Sequence, residues 1–117
     1  MRDLFIYHKI ELKEDTLTAQ VKVNHEHCIF DGHFPEQSIL PGVCTIFLIK
    51  NCLNKVLNKQ FHLKQIKQVK YTKMIIPQQE RELTLALKLV QEEEFLKVRG
   101  KVLDQDNIAI KFTAFYN

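Results

Sequence analysis

Chain-breaking residues are scarce in this sequence. Only three of its 117 residues are glycine and three proline, and two of each lie within 30–43. Glycine and proline punctuate local structure, so a tightly specified backbone path is expected there and little elsewhere. The three cysteines, Cys28, Cys44 and Cys52, are odd in number and lack CxxC spacing. They read as buried free thiols of a reducing compartment. No run of about 18 apolar residues exists, so no membrane span is expected. The formal charge of +3 shows no concentrated basic excess of the kind that marks nucleic-acid binders. Met1-Arg2-Asp3 opens straight into Leu4-Phe5-Ile6 without a signal pattern, and a cytoplasmic protein is expected. With 45% apolar residues the chain is not a disordered one, and its length suits one domain, 1–117, with one core.

What is present is organised around Phe30-Asp31-Gly32-His33-Phe34-Pro35-Glu36-Gln37-Ser38-Ile39-Leu40-Pro41-Gly42-Val43. A histidine sits inside this stretch, and a long apolar run follows from Pro41-Gly42, as a helix begins. A histidine on a rigid turn beside a helix start brings a proton acceptor next to backbone N–H donors.

Before the motif, alternation predicts two strands. Leu4 to Leu12 sets Ile6, His8, Ile10 and Leu12 on one side, and Leu17 to Val23 sets Leu17, Ala19, Val21 and Val23 on one face. Lys13-Glu14-Asp15 links them as a hairpin. After the motif, apolar residues at 43, 46, 47, 53, 56 and 57 follow the helical template, with Cys44, Leu48, Ile49 and Cys52 on other sides. This predicts a helix wrapped on most of its surface and ending near Asn58. Four strand-like segments follow. Leu63 to Ile76 is ended by Pro77, Leu83 to Leu89 places a leucine at every second position, Phe95 to Leu103 alternates, and Ile108 to Ala114 finishes the chain. The turns are Glu92-Glu93-Glu94 and Asp104-Gln105-Asp106-Asn107. The order predicts an α+β domain, a mainly antiparallel sheet around one long central helix.

Gly32-His33-Phe34-Pro35, a three-residue spacer, and Ile39-Leu40-Pro41-Gly42-Val43 resemble the bacterial 3-hydroxyacyl-(acyl carrier protein) dehydratases of the hot-dog fold. Those proteins carry a GHFP element and a PGV element before the central helix. Lys70-Tyr71-Thr72-Lys73-Met74-Ile75-Ile76-Pro77 looks like their basic-aromatic strand and proline turn. The resemblance implies loss of water from a 3-hydroxyacyl thioester, giving an enoyl thioester, in fatty-acid or polyketide-type lipid biosynthesis. His33 matches the family's catalytic histidine, and the N–H of Gly42 matches the donor that polarises the thioester carbonyl. Phe34, Pro41, Val43 and Phe47 fall where the substrate is lined. No cofactor and no metal is implied. His25 and His27 flank Glu26, but no third ligand is evident beside them.

Two positions depart from the family's pattern. Ser38 stands where a proline is usual. The helix acid, fourteen positions after the histidine, is Phe47 here, and Pro41 to Asn58 contains no Asp or Glu. Glu36, on the polar loop, reads as a solvated charge rather than a displaced acid. In the resembling family the histidine comes from one protomer and the acid from the other. A homodimer of this chain is expected to lack its acid, whereas a heterodimer with an acid-bearing paralogue has one complete site. The implied partner is an acyl carrier protein whose phosphopantetheine arm holds the acyl group. Of the lysines at 64, 67, 70 and 73, Lys70 and Lys73 are the candidate docking residues, against the plainer reading of a solvated strand face. Two further readings are a non-catalytic partner subunit, and a hot-dog thioesterase, which generally wants a carboxylate near the helix.

Overall fold

A computed structural model describes residues 3–31, 39–77 and 81–117. The elements run β1 (Phe5–Lys13), β2 (Thr16–Val23), a 3₁₀ turn (Cys28–Phe30), α1 (Gly42–Leu57), β3 (Leu63–Tyr71), β4 (Glu82–Glu92), β5 (Phe95–Asp104) and β6 (Asn107–Tyr116). Among the described residues all strand pairings are antiparallel, in one six-stranded sheet of order β1-β2-β4-β5-β6-β3. This is the expected α+β architecture of a hot-dog, with the helix laid against the sheet's inner face. Among the described residues no helix is long and apolar enough to cross a membrane.

Period-two alternation supplies the inner face. Leu17, Ala19, Val21 and Val23 of β2 are buried with Leu83, Leu85, Leu87 and Leu89 of β4. Leu96, Val98 and Val102 of β5 and Ile110, Phe112, Ala114 and Tyr116 of β6 complete it. β1 differs from its simple alternation. Its register shifts between Tyr7 and Lys9, so a bulge at His8 changes the inward parity. Phe5 is buried and Tyr7 and Ile10 are half-buried, while Ile6 is exposed. A bulge turns side chains to the other face of the sheet, which alternation alone does not foresee.

The helix faces are also assigned differently from the template. The fully buried stripe is Cys44, Thr45, Leu48, Ile49, Cys52 and Leu53. Ile46, Phe47, Val56 and Leu57 are half-buried and Val43 is 62% exposed. Both sets have helical spacing. The one that wins meets the leucines of the sheet, and the other is left as an apolar flank. Asn51 holds the helix to β1 by donating from Nδ2 to the Tyr7 hydroxyl at 3.2 Å, and the Lys55 ammonium lies 4.8 Å from the Tyr7 ring centre. The helix ends as expected at Asn58, which takes a left-handed conformation with φ 51°, a residue type that tolerates it. The Asn54 side chain then accepts from the Phe61 N–H at 2.9 Å.

Glycine is not needed for the hairpins. Glu14, Glu93 and Gln105 take φ of 58°, 49° and 58° in the two-residue connections of β1–β2, β4–β5 and β5–β6. Scarce glycine therefore does not exclude tight turns here. The strain of a left-handed residue is carried at exposed tips.

Candidate active site

The segment after β3 builds the candidate site. The sequence reading extends this strand to Ile76, but it stops at Tyr71. Thr72 turns the chain away from the sheet edge, its hydroxyl donating to the Ile108 carbonyl at 2.6 Å and its N–H to the Ala109 carbonyl at 2.8 Å. The chain then runs beside the segment that enters the helix, where the Leu40 N–H donates to the Ile75 carbonyl at 2.8 Å. Between these two segments lies an open, mostly apolar cleft of about 740 Å³. Pro41, Gly42, Val43 and Thr45 line one side, and Tyr71, Thr72, Lys73 and Met74 the other.

Gly42 is the first residue of α1, after Pro41, which offers no side-chain cap. First-turn amides of a helix have no partner within it, and a carbonyl oxygen gaining negative charge is a suitable acceptor. Position 42 admits no larger residue without movement. A Cβ there would stand 2.7 Å from Cζ and 2.9 Å from the hydroxyl oxygen of Tyr71.

The structure thus brings Pro41, Gly42, Val43 and Lys73 to one cleft. His33 and Phe34 lie outside the described residues, as do Glu36 and Ser38. Phe47 faces a separate hollow of about 460 Å³ with Phe5, Tyr7, Asn51 and Lys55. The two candidate docking lysines also separate. The Lys73 ammonium lies at the cleft, 3.3 Å from Oδ2 of Asp104. Lys70 points from the sheet's outer face, in register with Lys111, which is in register with Lys101 of β5. Lys67, Lys97 and Arg99 share a shallow hollow on that face. Among the described residues none of these six cations has an acidic partner.

Two participants escape the sequence reading. Asp104, read as a turn residue, ends β5 and is fully buried, with Arg81 Nη1 and Lys73 Nζ both 3.3 Å from Oδ2. It ties the cleft wall to the sheet. An Asp heading a polar tetrapeptide gives no sequence signal of burial. Tyr71 stands out only through the basic-aromatic strand, which points to no role for it at the cleft.

Of the other candidates, His27 accepts the Ile29 N–H on Nδ1 at 3.0 Å and so caps the 3₁₀ turn. Cys44 and Cys52 are buried as expected, but Cys28 is exposed on that short turn. Burial pushes the Cys52 thiol up to about 12 and raises Cys44 as well, which removes nucleophilic character from both.

Comparison with known proteins agrees with this architecture. A family model described as ApeI-like, for the ApeI dehydratase, matches residues 9–110. An uncharacterized thioester dehydrase of Halalkalibacterium halodurans is 42% identical over 43 residues, which are 37% of this chain and 28% of that protein. This match therefore spans little more than a quarter of its length. The dehydratase heterocomplex ApeI:P from Xenorhabdus doucetiae contains a chain that superposes with a TM-score of 0.76 at 22% identity, over 95% of this chain and 96% of the other. A hypothetical thioesterase protein with coenzyme A from Streptococcus pneumoniae shares the fold with a TM-score of 0.65 at 15% identity, over 97% and 85% of the two chains.

Proposed function

The chain belongs to the ApeI-like dehydratase family, and we propose that it takes part in dehydrating 3-hydroxyacyl thioesters carried on an acyl carrier protein, in fatty-acid or polyketide-type lipid biosynthesis. The observation that carries this reading is the cleft at the helix start, where Gly42 and an apolar wall meet within the family's motif. His33 takes the proton next to the thioester carbonyl, and the Gly42 N–H receives the negative charge that grows on the carbonyl oxygen. Phe34, Pro41 and Val43 line the acyl chain.

The acid is the missing part. Phe47 faces its own hollow, away from Gly42 of the same protomer. That separation suits a site completed across a dimer interface, with Phe47 answering to the histidine of a second chain. Exposed Val43, Tyr71, Met74 and Ile66 surround the helix start and the β3 edge, an apolar surface of the kind that association covers. The reading is therefore a homodimer that dehydrates weakly, or half of a mixed dimer whose other chain brings the acid. The relative from Xenorhabdus doucetiae is a heterocomplex, which supports the second form.

The unpaired cations of β3, β5 and β6 support an acidic carrier as the substrate's bearer. Like charges in register across three strands cost stability, and an acidic surface offsets that cost. Lys70 continues this face toward the cleft, where Lys73 stands. The test is formation of enoyl thioester from a 3-hydroxyacyl carrier substrate, by the chain alone and mixed with an acid-bearing paralogue. The expected result is weak turnover alone and a large gain in the mixture. No turnover in either refutes dehydration.

A further inference from the structure

The geometry points to Tyr71 as a second hydrogen-bond donor to the thioester carbonyl, beside the Gly42 N–H. The inference rests on the thioester reading above and adds a residue to it.

Four side chains along the cleft carry a donor proton: Thr45, Tyr71, Thr72 and Lys73. Three are committed. Thr45 Oγ1 donates to the Gly42 carbonyl at 2.6 Å, Thr72 Oγ1 donates to the Ile108 carbonyl at 2.6 Å, and Lys73 is drawn to Asp104. The Tyr71 hydroxyl has no hydrogen-bond partner among the described residues. It is also the one held against the helix start, 2.9 Å from where a Cβ of residue 42 would stand. Glycine at 42 is what lets the phenol come so close.

A carbonyl oxygen has two lone pairs. One backbone N–H fills the first, and a hydroxyl at the same spot fills the second. Donors already aimed at the oxygen stabilise the charge that develops there without reorganising. Tyr71 lines the cleft, which sets its hydroxyl among the groups that a bound thioester would meet. A bound acyl group would shield it and strengthen the bond.

The experiment is infrared difference spectroscopy of crotonyl pantetheine thioester labelled with carbon-13 at the carbonyl, bound to the wild-type chain and to Tyr71→Phe. The variant keeps the ring against Gly42 and removes only the hydroxyl. In the wild type the bound carbonyl band should lie below its position in water, and in Tyr71→Phe it should move back up. In parallel, kcat on a 3-hydroxyacyl carrier should fall about 10²–10³-fold with KM little changed, the usual loss for one such donor. An identical band in the two proteins overturns the role of Tyr71 and leaves the thioester reading standing. Failure of the thioester to bind the wild type overturns both.

Discussion

On the proposed reading, Gly42 shows how one residue type can serve backbone and chemistry together. It starts the helix, and its missing side chain admits Tyr71. Gly42→Ala should cost little stability, because the phenol end of Tyr71 is free to swing outward. Turnover should nevertheless drop at least tenfold, because ring and amide lose their arrangement. A crystal structure of the variant with Tyr71 unmoved would contradict this. Asp104 is the opposite case, a residue whose work is structural. Removing one partner of a buried charge cluster costs about 3–5 kcal/mol, and partly exposed Lys73 puts Asp104→Ala near the lower end, measured by urea unfolding. The thiols give a third check. In native protein near pH 8 only Cys28 should react with a thiol reagent, since a thiol pushed up to about 12 holds almost no thiolate there. All three should react in denaturant. At this scale the sequence was legible as placement where a motif fixed spacing: Pro41, Gly42 and Val43 stand together at the helix start and line the cleft. It was silent where a role depends on what the fold brings near, as for Asp104 and Tyr71.

Strands and helix could be read because alternation and helical spacing are local properties. The leucines of β4 and the end of α1 at Asn58 were legible for that reason. The faces were not. α1 carries two apolar sets, and only contact with the sheet decides which is buried. Leu48→Ala should therefore cost about 2–5 kcal/mol, while Val43→Ser should change monomer stability by less than about 0.5 kcal/mol. Equal losses in chemical unfolding would mean that the helix is turned otherwise. The His8 bulge and the early end of β3 were also hidden: the bulge depends on the register β1 takes against β2, and the strand end on hydrogen bonds from Thr72 to β6, distant in sequence. The hairpin tips give a test of the opposite sign. Glu93 has φ 49°, and Glu93→Gly should raise stability by about 0.5–1 kcal/mol by removing left-handed strain.

The whole molecule presents a hot-dog fold, and on the proposed reading its catalytic set lacks the acid. The sheet and helix position the cleft at Gly42 that is proposed to bind the carbonyl, the basic outer face suits the proposed acidic carrier, and the helix position that matches the family's acid holds an aromatic ring. Association through the apolar surface at Val43, Met74 and Ile66 is expected, visible as a dimer mass in light scattering at micromolar concentration. On the proposed reading, only the helix carboxylate is missing from the catalytic set. The most direct measurement is the rate of enoyl thioester formation from a 3-hydroxyacyl carrier substrate by the wild-type homodimer and by Phe47→Glu, compared under one set of conditions. General acid help is worth about 10²–10⁴ in rate, so the wild type should be slow and Phe47→Glu faster by up to that factor. The contradicting result is a wild-type homodimer that turns over at roughly 1–10³ s⁻¹, the range of ordinary enzymes, loses this rate in His33→Ala, and gains nothing from Phe47→Glu.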